Sequence, residues 1–135
     1  MADVRCLMPK RLFLFLLVTP GVVLSYDLDR ARNNLAHEFA ECGAYYQLLA
    51  QQPRLDDAMK KRFSEDGTNL VKLSATLTNM NLAIARYELA LKTMTREMDS
   101  DWGNMSIVLN KYAFSCKDLA ENPDARLRYW LDKKD

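Results

Sequence analysis

From residue 26 onward, apolar residues recur at spacings of three and four with few interruptions, the period of amphipathic helices. A first helix is predicted from about Asp27 to Gln52. Its stripe is Leu28, Ala31, Leu35, Phe39, Cys42, Tyr46 and Leu49; Asp27 or Asp29 caps its start and Pro53 ends it. A short second segment, Leu55 to about Ser64, carries Leu55, Met59 and Phe63 on one side, and Ser64-Glu65-Asp66-Gly67 is predicted to break it. The third segment, Thr68 to about Asp99, has the clearest pattern. Leu70, Leu73, Leu77, Met80, Ile84, Tyr87, Leu91, Met94 and Met98 form a heptad seam, as in a coiled coil. A second stripe, Val71, Ala75, Thr78, Leu82, Ala85 and Leu89, lies on the other side and predicts a helix that is central or touches a second chain.

A polar loop at Asp99–Asn104 precedes a helix from Met105 to Glu121 with the stripe Met105, Val108, Tyr112, Cys116 and Leu119. Asn122-Pro123 then starts a last short helix, Asp124 to about Lys133, carrying Leu127, Trp130 and Leu131. The expected fold is all-α: a small up-down bundle of three main helices plus short ones. At 135 residues it is one domain, 26–135.

Residues 1–25 have a different pattern. Arg5, Lys10 and Arg11 precede the apolar run Leu12–Val18, a break at Pro20-Gly21, and Val22-Val23-Leu24-Ser25. This is the order of a secretory signal, with cleavage expected between Ser25 and Tyr26. The apolar stretch falls short of the roughly 20 residues needed to span a bilayer, so no stable membrane insertion is expected after cleavage. The expected localisation is extracytoplasmic, periplasmic or secreted.

The leader changes the reading of the cysteines. Cys6 leaves with it, so Cys42 and Cys116 become the only pair, in an oxidising compartment, each on its helix's apolar stripe. An interhelical disulfide is expected. If both helices start at the same end of the bundle, the two cysteines lie about 22 and 18 Å along them, within one turn of each other. The disulfide therefore requires the break near Gly67, since one unbroken helix over residues 55–99 would carry Cys116 far from Cys42.

Charge adds only exclusions. The chain holds 19 basic and 18 acidic residues; without the leader these become 16 and 17, which leaves no electrostatic footprint for nucleic acid.

Candidate chemistry is sparse. His37, the single histidine, lacks the second imidazole of a zinc-protease helix, because position 41 is Glu. No Gly-x-Ser-x-Gly elbow, Gly-rich phosphate loop or Cys-x-x-Cys-His site is present, so neither an enzyme nor a bound cofactor is expected. Met94 and Met98, one turn apart, with His37, supply an alternative metal reading, because thioethers suit Cu(I). A small-ligand carrier is a third reading. The leading expectation is a non-catalytic protein that binds another protein or itself. Its surface would comprise Val71, Leu82 and Leu89 together with Tyr45, Trp102 and Trp130, aromatics of the kind that anchor interfaces.

Overall fold

The computed structural model describes residues 21–133, which hold five α-helices, a single 3-10 turn and no strand. The predicted leader, residues 1–20, lies outside them. Helix α1 spans Gly21–Ala50, α2 Asp57–Leu77, α3 Met80–Glu97, α4 Met105–Glu121 and α5 Pro123–Asp132. The all-α expectation holds: α1, α2 and α3 are the three main packed helices, and α4 and α5 lie back on α1.

One predicted break is absent and one break that was not predicted is present. Gly67 does not interrupt a helix; α2 runs through it, buried. The chain reverses instead at Thr78-Asn79. The Thr78 hydroxyl donates to the Ser74 carbonyl at 2.9 Å and closes α2, while the Asn79 side chain accepts from the Leu82 amide at 2.9 Å and opens α3. The supposed seam therefore changes direction in mid-course. Leu70, Met94 and Met98 are buried, but Met80 and Ile84 at the turn are 52% and 40% exposed.

Gly67 is needed for a close helix crossing. It faces Gly43 of α1, and a Cβ on Gly67 would lie 2.9 Å from the Gly43 carbonyl oxygen. Around this point α1 presents a small-residue stripe, Ala36, Ala40, Gly43, that lets α2 approach. Ser74, fully buried on α2, donates its hydroxyl to the Ala36 carbonyl at 2.6 Å. Gln47 donates to the Ser64 carbonyl at 2.8 Å and to the Thr68 hydroxyl at 3.1 Å.

These pairs fix direction. Residues 47, 43 and 36 of α1 meet 64, 67 and 74 of α2, so the two helices are antiparallel. On α4 and α5, Tyr112 stacks near Tyr45, Cys116 is bonded to Cys42, and Arg126 reaches Glu38. Hence α4 also runs against α1, and parallel to α2. The disulfide forms with Cα atoms 5.2 Å apart, but not between the parallel helices expected. Splitting the third segment into a hairpin added one pass across the bundle and inverted α4.

The central helix is α1, not the 68–99 segment. Leu35, Phe39, Cys42, Tyr45, Leu48 and Leu49 join the main core, and Ala31, Ala36 and Ala40 are fully buried. Between α3 and α4, Asp99 and Ser100 take positive φ values of 54° and 55°. In this left-handed turn the Ser100 amide donates to the Thr95 carbonyl, which closes α3. At the other end of α4 the expected Asn122-Pro123 junction is observed, with Pro123 at the first position of α5.

Candidate functional site between α2 and α4

Helices α2 and α4 both pack on α1 but stand apart from each other, and an open groove of about 530 Å³ separates them. Phe39 and Tyr46 of α1 form its floor. The α2 wall is Met59, Phe63, Leu70 and Leu73, at spacings of four, seven and three that hold one helix face in line. The α4 wall is Lys117, Leu119, Ala120 and Glu121, closed at its end by Pro123. A second hollow of about 400 Å³ shares Tyr46, Met59, Phe63 and Lys117 with the first and extends the groove past Leu109 and Ala113 to Leu55. Met59 to Leu73 covers about 21 Å of helix.

Part of the exposed apolar surface lies here. Met59 is 43% exposed, Leu73 45% and Leu109 36%. The rim carries Arg62 and Asp66 on α2, and Lys117 and Glu121 on α4. Burial raises the pKa of the Tyr46 phenol on the floor, and Asp66 and Glu121 push it further the same way, against Arg62. Tyr45 beside it is pushed up to about 12 by burial and by Tyr46. Both phenols are therefore neutral at physiological pH, and the groove offers an apolar floor with a rim of balanced charge.

A polar cluster holds α5 against α1. Glu38 accepts from Arg126 Nε at 2.8 Å and from Trp130 Nε1 at 3.2 Å, and the Arg126 guanidinium also stacks on Tyr129, 4.4 Å from the ring centre. One turn on, Glu41 has its pKa raised by burial, reinforced by Glu38 and Glu97 and opposed by His37 and Lys111.

The residues singled out from sequence are scattered across the fold. Cys42 and Cys116 come together. Tyr45, expected on the surface, is 4% exposed; its ring lies 6.4 Å from that of Tyr112 in the core. Val71 is half-buried at the α1–α2 crossing, where its Cγ2 lies 2.7 Å from the place a Gly43 Cβ would occupy. Leu82 and Leu89 face solvent on α3, 37% and 61% exposed. Trp102 is half-buried against the core, and Trp130 is half-buried and tied to Glu38. Met94 and Met98 are 0% and 2% exposed in the core, whereas His37 is exposed on α1. Among the described residues no three His, Cys, Asp or Glu side chains cluster as a metal site, and no helix is long and apolar enough to cross a membrane.

The groove residues had a signal in the sequence. Met59, Phe63, Leu70 and Leu73 keep helical spacing, but the break placed at Gly67 divided them between two segments. No protein-family model, curated protein or solved structure matches the chain.

Proposed function

We propose that this chain is an exported, non-catalytic helical protein whose work is to bind a protein partner through the α2–α4 groove. The observation that carries the reading is the groove itself: an apolar trough about 21 Å long, floored by Phe39 and Tyr46, with Met59 and Leu73 exposed on its α2 wall. Contiguous apolar surface of this kind, rimmed by charge, is typical of surfaces that other chains cover. The leader at residues 1–25 and the Cys42–Cys116 pair support an extracytoplasmic setting, because disulfides persist where thiols are oxidised.

Leu73→Glu tests the reading. Leu73 lies on the groove wall and is already half in water, so a carboxylate there spares the core. Protein recovered from its own host by native purification after cross-linking is expected to lose its assembly with this change while keeping its helical circular dichroism. Identical assembly in the parent and the variant would refute it.

A further inference from the structure

We propose that the groove is filled by helix α3 of a second copy of the same chain, running parallel to α2 and α4. The inference rests on the groove being a binding surface and goes further by naming what binds.

The groove lacks a helix and α3 lacks a cover. The trough over Phe39 and Tyr46 stands open between α2 and α4. On α3, Leu82, Ala85 and Leu89 are exposed, and their spacings of three and four put them on one stripe about 10 Å long. Charge order selects the direction in which that stripe can enter. The α4 rim reads Lys117 then Glu121. Beside the α3 stripe stand Glu88 and Lys92, both exposed, in the opposite order at the same interval. When the incoming α3 runs parallel to α4 with its stripe on the groove floor, the right-handed turn of the helix puts Glu88 and Lys92 on the α4 side. Glu88 then meets Lys117 while Lys92 meets Glu121. When the incoming helix is reversed, the same flank turns to α2, whose rim reads Arg62 then Asp66. Lys92 would then face Arg62 and Glu88 would face Asp66, so the reversed direction is repelled.

The register set by charge also seats the apolar stripe. Cys116 is bonded to Cys42 and Gly67 faces Gly43, so Lys117 stands within about a residue of the level of Leu70. Leu89 of the incoming helix, next to Glu88, then lies over Phe39 beside Leu70 and Leu73. Leu82, six residues before Glu88, lies over Tyr46 beside Phe63. The half-exposed Leu73 and the exposed Leu89 cover each other. Arg86 of α3 donates to the Asn33 side chain of its own α1 at 2.7 Å, a third of a turn or more around α1 from the floor residues Phe39 and Tyr46. The groove and the α3 stripe of one copy therefore face different ways, and two copies cannot fill each other's grooves at once. The contact is heterologous, and successive copies alternate in direction and extend as an open chain.

The test is sedimentation velocity of the oxidised protein over a range of concentrations, on the parent, on Leu73→Glu, on Leu89→Glu and on an equal mixture of the two variants. The parent is expected to sediment faster as concentration rises, through species larger than a dimer. Leu73→Glu spoils the groove and keeps α3; Leu89→Glu spoils α3 and keeps the groove. Each variant alone is expected to be monomeric, and the mixture is expected to form a dimer of one copy of each and nothing larger. Lys117→Glu sets like charges against Glu88 and is expected to weaken assembly about fivefold, with Glu88→Lys in the same chain restoring it. A parent that stays monomeric, a mixture that stays monomeric, or assembly indifferent to Leu89→Glu or to Lys117→Glu would each overturn the proposal. A monomeric parent that purifies from its host with a different protein, released by Leu73→Glu, would overturn self-docking and leave the groove as a binding site; a monomer with neither property would remove both readings.

Discussion

The contact between Gly43 and Gly67 sets a sharp test of how α1 and α2 pack. Replacing glycine by alanine inside an ordinary exposed helix stabilises it by about 1 kcal/mol. Here the sign is expected to reverse. A Cβ on Gly67 would sit 2.9 Å from the Gly43 carbonyl oxygen, 2.9 Å from Gln47 Cγ and 3.1 Å from the Gln47 amide nitrogen. Non-bonded carbon contacts relax at about 3.5 Å or more, so α2 must retreat by roughly half an ångström. Two of the three obstructing atoms are backbone, which no rotamer change can move. Retreat also stretches the 2.6 Å bond from Ser74 to Ala36 and loosens both Gln47 contacts. Overpacking of this kind costs about 1 to 3 kcal/mol, so after the helix-propensity gain Gly67→Ala is expected to be destabilising by about 1 to 2 kcal/mol. Gly43→Ala meets Val71 Cγ2 at 2.7 Å and the Gly67 carbonyl oxygen at 3.0 Å and is expected to behave alike. The double variant should lose less than the sum, because once α2 has moved outward both methyl groups use the same gap. Urea unfolding followed by circular dichroism, with the disulfide kept oxidised, measures all three. An increase in stability of about 0.5 to 1 kcal/mol for Gly67→Ala, as on a free helix surface, would show that the close crossing does not exist.

Other consequences can be checked alongside. The disulfide joins residues 74 apart, so replacing both cysteines by alanine is expected to remove on the order of 4 kcal/mol by loss of loop constraint, read as a lower urea midpoint. Glu41 has a raised folded-state pKa, chiefly from burial. A carboxyl so shifted binds its proton more tightly when folded, so its contribution to stability falls as pH rises from the unfolded value through the folded one. Glu41→Gln should then stabilise the fold at neutral pH and change little in acid, measured by thermal melts across pH. Glu38→Gln should weaken the hold of Arg126 and Trp130, so hydrogen exchange in α5 accelerates while α1–α4 stay protected; uniform acceleration would contradict an independently docked α5. Intact mass of the protein recovered from its host should begin at Tyr26 and read two hydrogens light, and a mass retaining residues 1–25 would end the export reading.

Much of this architecture was legible from spacing. The α4 stripe Met105, Val108, Tyr112, Cys116 and Leu119 is buried in full, and the Pro123 junction falls where it was expected. The α2–α3 turn was not legible, for a physical reason. Leu77 and Met80 are three residues apart, the interval a continuous helix would show, and the two-residue reversal between them leaves the count undisturbed. The only local sign is Asn79, a strong capping residue, set inside a run whose apolar period is otherwise unbroken. Gly67 misled in the opposite direction: glycine breaks helices and also permits close crossings, and the choice depends on a facing glycine 24 positions earlier that a local window cannot see. The groove was missed as a result of both errors, since its α2 wall straddles Gly67 and its α4 wall depends on the direction of α4.

The central position of α1 sets an order of events during synthesis. This helix leaves the ribosome before the other four, yet its burial is completed by α4 and α5, made well after it. For most of translation it therefore holds Leu35, Phe39, Tyr45 and Leu48 without their full set of neighbours. The Cys42 thiol likewise waits for a partner encoded 74 residues later, so the covalent lock registers that α4 has been made and docked. A chain cut short before Cys116 retains an α1 apolar face without its α4 neighbours and a Cys42 thiol without its partner.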